Sequence, residues 1–169
     1  VEVERSLRVL DGAIAIFCAV AGVEPQSETV WQQAARYGIP RIAFVNKMDR
    51  VGANYEDAGL RMRERLGANA VPVQISLGIE ESFRGVIDLI EMKAITFDEA
   101  TFGVAFEAIE IPDDYREQAE WEREHLIEAL AEHDEEILRK VIEEIPVSSG
   151  SLRAAIRRMT LANQMVPVF

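Results

Sequence analysis

The sequence has one cysteine, Cys18, so no disulfide can close within it, and a reducing cytoplasmic setting is expected. It has no apolar run of membrane-spanning length. The longest, Ala13 to Val23, is about half of the roughly 20 residues a spanning helix needs, and no basic segment leads into an apolar one at the N-terminus. There are two histidines, His125 and His133, both in an acidic stretch where a solvated helix face is expected, and no metal ligand is assigned. Trp31 and Trp121 lie away from basic clusters, which argues against base-stacking platforms and for core or groove positions. Cys18 reads as a small buried hydrophobe. No Gly-Lys pair occurs, so the G-x-x-x-x-G-K-[ST] loop that cradles phosphates has no match.

What is present is enough for one ordinary core with an appended unit: 169 residues, 49% of them hydrophobic. The net charge of -12 is concentrated. Asp98 to Glu144 holds 17 acidic residues against four basic ones, so the rest of the chain is close to neutral. Such a balance disfavours sequence-independent nucleic-acid binding, although a few basic contacts can still seat a locally neutral face on a ribosome. The chain opens on Val1-Glu2-Val3-Glu4 and closes on an apolar run, Met165 to Phe169. Both ends read as cut from a longer polypeptide.

Gly12 to Val20 is almost continuously apolar, as a strand covered on both faces of a parallel sheet would be. Pro25 opens a helix with Val30, Trp31, Ala34 and Ala35 on its stripe, ended by Gly38 and Pro40, and Arg41 to Val45 forms the next strand. This is a βαβ unit, and in such open sheets ligands bind at the carboxyl ends of the strands. Asn54 to Leu66 reads as a further helix closed by Gly67. Val71 to Ser76, Gly85 to Ile90, Lys93 to Phe97 and Val104 to Ile111 then follow without helices, which predicts an antiparallel meander. Asp113 to Ile145 returns to helix, with a restart at Asp134. Ser149 is placed as the cap of a last helix to Thr160, before the final strand.

The chemistry-bearing pattern follows the second strand directly: Asn46-Lys47-Met48-Asp49, an N-K-x-D run at the ligand-binding edge. A carboxylate at Asp49 can accept from both the ring N1-H and the exocyclic amine of guanine, a two-point contact that adenine cannot return. Lys47 can lay its aliphatic stem along the base, and the Asn46 amide can tie the loop to its neighbours. The alternative is a polar turn in which Asn46 or Asp49 merely caps the next helix. Either way, a base-reading loop hydrolyses nothing by itself. Positioning and charge stabilisation of the phosphates supply nearly all of phosphoryl-transfer catalysis, so no catalytic residue is expected within these 169 positions.

Glu2 to Ser6, Arg8 to Gly12, Gly22 to Trp31 and Pro40 to Arg50 closely resemble the translational GTPase family, in its elongation factor G branch. Weaker similarity continues through Glu64 to Ala68, Gly85 to Leu89, Met92 to Ala94, Ala154 to Arg157 and Val166 to Phe169. The resemblance implies an α/β fold: a partial P-loop-type GTPase domain, with a parallel sheet and flanking helices, carrying an inserted α+β subdomain. The division would be residues 1–71 and 161–169 for the former and 72–160 for the latter. It implies Asn46, Lys47 and Asp49 as guanine-contacting residues for GTP or GDP, with Mg2+ held by residues outside this chain. It also implies GTP-driven movement of tRNA and mRNA on the ribosome, and contact between the acidic insert and the stalk protein of the large ribosomal subunit. The first ten residues would continue the helix of the second switch region. At Cys18 the family carries Asp in a Phe-Asp-Ala run, and Ile145 to Ser151 is also atypical. Two other readings share parts of this pattern. One is a sister translational GTPase, a release factor recycler or a ribosomal protection protein. The other is an acidic protein-binding adaptor whose N-K-x-D run is incidental.

Overall fold

The computed structural model describes residues 2–98, 101 and 103–169. After a short helix α1 (Glu2–Leu7), strand β1 (Ala13–Cys18), helix α2 (Pro25–Arg36), strand β2 (Arg41–Asn46) and helix α3 (Tyr55–Leu66) build an α/β layer. β3 (Ala70–Pro72) and β8 (Val166–Val168) complete a parallel sheet of order β1-β2-β8-β3. Between them run β4 (Gln74–Leu77), β5 (Gly85–Asp88), β6 (Lys93–Phe97) and β7 (Phe106–Ile109), an antiparallel meander in that order. Three helices follow: α4 (Asp113–Ala131), α5 (Glu135–Ile142) and α6 (Ser149–Leu161).

Local chemistry explains the element ends. Pro25 occupies the first turn of α2, where its missing N–H costs no helical hydrogen bond. Asn54 caps α3 by accepting from the Asp57 amide at 2.9 Å, and Gly67 closes the helix at φ 60°. Asp134 caps α5 through the Ile137 amide at 3.1 Å, as the sequence predicts for a restart. The cap of α6 is Ser148, not Ser149: its side chain accepts from the Ser151 amide, and Ser149 Oγ instead donates to the Ile90 carbonyl.

Two further expectations need correction. β1 is an edge strand covered on one face among the described residues, with Ile14 and Ile16 67% and 63% exposed. Both α2 and α3 pack on the Phe17, Ala43 and Val45 side, and on the opposite face the described helices α4 and α6 reach β3 and β8 but leave Ile14 and Ile16 of β1 exposed. The run Val71 to Ser76 is two strands. Its backbone changes sheets at Val73, whose amide donates to the Val168 carbonyl while its own carbonyl accepts from the Leu89 amide.

Two apolar clusters result. One joins Phe17, Trp31, Val45, Met48, Ala58 and Met62 beneath the parallel sheet. The other gathers Leu77, Ile87, Leu89, Leu126, Leu130, Ile137, Leu152 and Met159, and it includes Val71 and Met165 from the β3–β8 side of the parallel sheet. The two layers are therefore joined through packed side chains as well as through the chain.

Candidate functional site

The N-K-x-D run leaves the carboxyl end of β2, beside the end of β1, where Cys18 is in register with Asn46. Asn46 is the last residue of the strand, and its Oδ1 accepts from the Lys47 amide at 2.8 Å. That bond supports a left-handed conformation at Lys47, φ 69°, which is uncommon for a residue with a side chain. Met48 turns inward and is buried, so Lys47 and Asp49 on either side of it face solvent. The loop continues in tight turns, Arg50 N to Lys47 O at 3.2 Å and Ala53 N to Arg50 O at 3.0 Å, and the Asn54 amide then donates to the Ala19 carbonyl.

Among the described residues the Asp49 carboxylate pairs with Arg50, with Nε at 3.8 Å and both side chains about two-thirds exposed. A pair this long and this wet contributes little, which leaves the carboxylate available to a ligand's donors. Asp49 does not cap α3; that role belongs to Asn54. Asn46, Lys47 and Asp49 are thus brought together on one exposed loop, as the spacing predicts.

Beside the loop opens a cavity of about 580 Å³ between the uncovered face of the parallel sheet and the outer face of the meander. Ile14, Phe44, Val86, Ile95 and Phe106 are among its walls, with residues 46–49 at its rim. Its lining is mostly apolar, suited to flat or greasy groups rather than to phosphates.

Cys18 departs from its expected role. It is half-buried, and the backbone amides of Ala21 and then Val20 hold its thiol below the ordinary thiol range; burial opposes them, and the Lys47 charge helps. Trp31 is buried against Phe17, with the Arg41 guanidinium 4.5 Å above its ring centre. Trp121, by contrast, lies on the surface and packs against His125 with the rings tilted by 40° and their centres 3.7 Å apart. The helix turn that brings residues i and i+4 together explains this pairing. Among the described residues no group of three metal-binding side chains converges.

Sequence reasoning missed two residues that hold the loop. The Tyr55 hydroxyl, in the first turn of α3, donates to the Val168 carbonyl at 3.0 Å, and burial raises its phenol far above the usual range. Glu80, in the turn between β4 and β5, bonds the loop twice, at Met48 O and at Gly52 N. Neither contact has a sequence signal, because the partners are 113 and 28 residues apart.

A parallel sheet with helices on its flank, carrying N-K-x-D at its ligand edge, is the architecture of a P-loop-type GTPase domain. The chain belongs to the family of the elongation factor Tu GTP-binding domain, whose model matches residues 1–167, and so to the translational GTPases. A crystal structure of a protein from Thermus thermophilus is similar, with a TM-score of 0.85 and 29% identity, over 99% of this chain and 24% of that one. The chain thus spans about a quarter of that relative's length. No described helix is long and apolar enough to cross a membrane.

Proposed function

We propose that these residues are the guanine-reading part of a translocase of the elongation factor G type, which couples GTP binding and hydrolysis to movement of tRNA and mRNA on the ribosome. The observation that carries the reading is the loop itself. Asp49 faces solvent, between an inward-facing Met48 and an Arg50 to which it is only loosely paired, at the carboxyl end of a parallel strand. In this reading Asp49 accepts from guanine N1-H and the exocyclic amine, Lys47 covers the base plane, and Asn46 holds the loop. Residues 1–71 with 161–169 make the nucleotide-binding part and 72–160 the insert. Mg2+ and the phosphates are held by residues elsewhere in the full-length cytoplasmic protein, because this sequence offers no Gly-Lys phosphate loop. The 169 residues alone hydrolyse no GTP and bind it weakly. Glu117, Glu120, Glu124 and Glu128, all exposed along α4, give the insert a field suited to a basic partner such as the ribosomal stalk protein.

Asp49→Asn in the full-length protein tests the central assignment. An amide donor there faces guanine's donors but meets the carbonyl of xanthine, so GTP binding falls by about tenfold or more while xanthosine triphosphate binding appears. Unchanged GTP preference in a nucleotide-competition titration would remove Asp49 from the base site.

A further inference from the structure

The loop that bears Asp49 is anchored from the other sheet. Within the loop the turn bonds join residues 47 to 50 and 50 to 53, while the Met48 carbonyl and the Gly52 amide are both met by Glu80. The Glu80 amide donates to Met48 O at 2.9 Å, and its carboxylate Oε1 accepts from Gly52 N at 2.7 Å. One residue therefore grips the loop immediately before Asp49 and three residues after it. A bond of 2.7 Å from an amide to a carboxylate is of the stronger, charge-assisted kind.

The turn that presents Glu80 has little freedom. Glu80 itself sits at φ 53°, in the left-handed region. Gly78, at φ 84°, lies so close to the Ser82 carbonyl that an added Cβ would stand 2.0 Å from it. Ser82 Oγ accepts from the Ile79 amide at 3.1 Å and donates to the Ile79 carbonyl at 2.7 Å, closing the turn on itself. Phe83 then packs against the cluster that contains Met48. Backbone strain at Glu80 is thus held by contacts on both sides, a pattern found where a side chain must be aimed.

We propose that Glu80 is a positioning residue for guanine recognition, through which the antiparallel sheet sets the placement of the Asp49 carboxylate and hence nucleotide affinity. This deepens the assignment of Asn46 to Asp49 as the base-reading loop and rests on it. The consequence is a mechanical link: a partner that shifts the β4–β5 turn would alter nucleotide release without touching the nucleotide.

The test uses the full-length protein that carries these residues, with Glu80→Gly, Glu80→Gln and Asp49→Asn variants, fluorescent GDP and IDP, and thermal unfolding of each variant. Glu80→Gly removes the carboxylate while easing the positive φ, so folding is retained. It is expected to weaken GDP about tenfold. IDP, which lacks the exocyclic amine and engages Asp49 at a single point, should weaken less. Glu80→Gln keeps an acceptor for the Gly52 amide and should stay within about threefold of the parent. Glu80→Gly binding GDP like the parent, or losing GDP and IDP equally, overturns the positioning role. If Asp49→Asn has meanwhile switched to xanthosine nucleotides, the base-reading assignment survives that result. If it has not, both fall together.

Discussion

The two sheets differ in the packing of the face that their helices cover. The antiparallel sheet packs one face on its helices, with Leu77, Ile87, Leu126, Leu130, Ile137 and Leu152 fully buried in one cluster, while Phe97 and Phe106 on its outer face stay exposed. The parallel sheet is covered by α2 and α3 on one side and leaves Ile14, Ile16 and Phe44 open on the other. Yet the N-K-x-D loop belongs to the parallel sheet. The difference teaches where a loop's rigidity can come from. Asn46 to Asn54 is steadied partly by its own turns and partly by Glu80 from the antiparallel sheet, while the Val168 carbonyl takes both the Val73 amide and the Tyr55 hydroxyl at 3.0 Å. A loop on one sheet thus borrows order from its better-packed neighbour.

The sharpest way to break this contrast is by truncating one apolar side chain in each region. Leu126→Ala should cost about 3 kcal/mol, because a fully buried leucine loses its contacts and leaves a cavity. Ile16→Ala on the open face should cost less than about 0.5 kcal/mol in this chain. Urea unfolding midpoints measure both. Equal costs would mean that the open face is packed in solution. A much larger Ile16 effect in a longer polypeptide would show that the face is covered there.

A smaller effect tests whether polar contacts follow the same division. Asp134 is buried, caps α5, and binds Arg158 through both carboxylate oxygens, with Nε at 2.9 Å and the second guanidinium nitrogen at 3.1 Å. Arg158 is half-exposed, so its charge can return to water when the partner is lost. Asp134→Ala should therefore cost about 2 kcal/mol, near one cap plus one charge-assisted bond, instead of the full penalty of a stranded buried charge. Chemical denaturation of the variant checks it, and Asp134→Asn, which keeps the cap, should recover about half.

Much of this fold was legible because its signals are local. Pro25, Asn54, Gly67 and Asp134 mark helix ends by chemistry that acts over three or four residues, and N-K-x-D is contiguous. The failures are non-local. Nothing in Gly12 to Val20 says which face finds a covering helix, and an apolar run such as Val71 to Ser76 looks the same whether it serves one sheet or two. Ser148 and Ser149 are equivalent by residue type, and only the position of Ile90 separates cap from cross-link. Glu80 lies 28 residues from Gly52, in a turn whose sequence reads as an ordinary surface loop.

The smallest expected effect lies where the two regions meet. Glu122 of α4 is half-buried near the start of α3, and its carboxyl is raised above the usual range. Burial is the main cause, the charge of Glu56 adds to it, and His125 and Arg63 oppose it. Tyr55 on α3 is in turn raised in part by Glu122. A carboxyl whose folded pKa exceeds its unfolded value favours the folded state when protonated. That contribution is full below the ordinary carboxylate pKa and is lost as pH rises through the raised value, so at neutral pH the charged Glu122 disfavours the folded state. Glu122→Gln should then stabilise the chain at neutral pH, and the gain should vanish as pH falls through the carboxylate range. Solvent reaches the group, so screening keeps the gain below about 0.5 kcal/mol. Unfolding midpoints of parent and variant, measured from about pH 4 to pH 8 at low salt, should converge at the acidic end. Curves that stay parallel would mean that Glu122 titrates as a free surface carboxylate, and that the two regions meet there without an electrostatic cost.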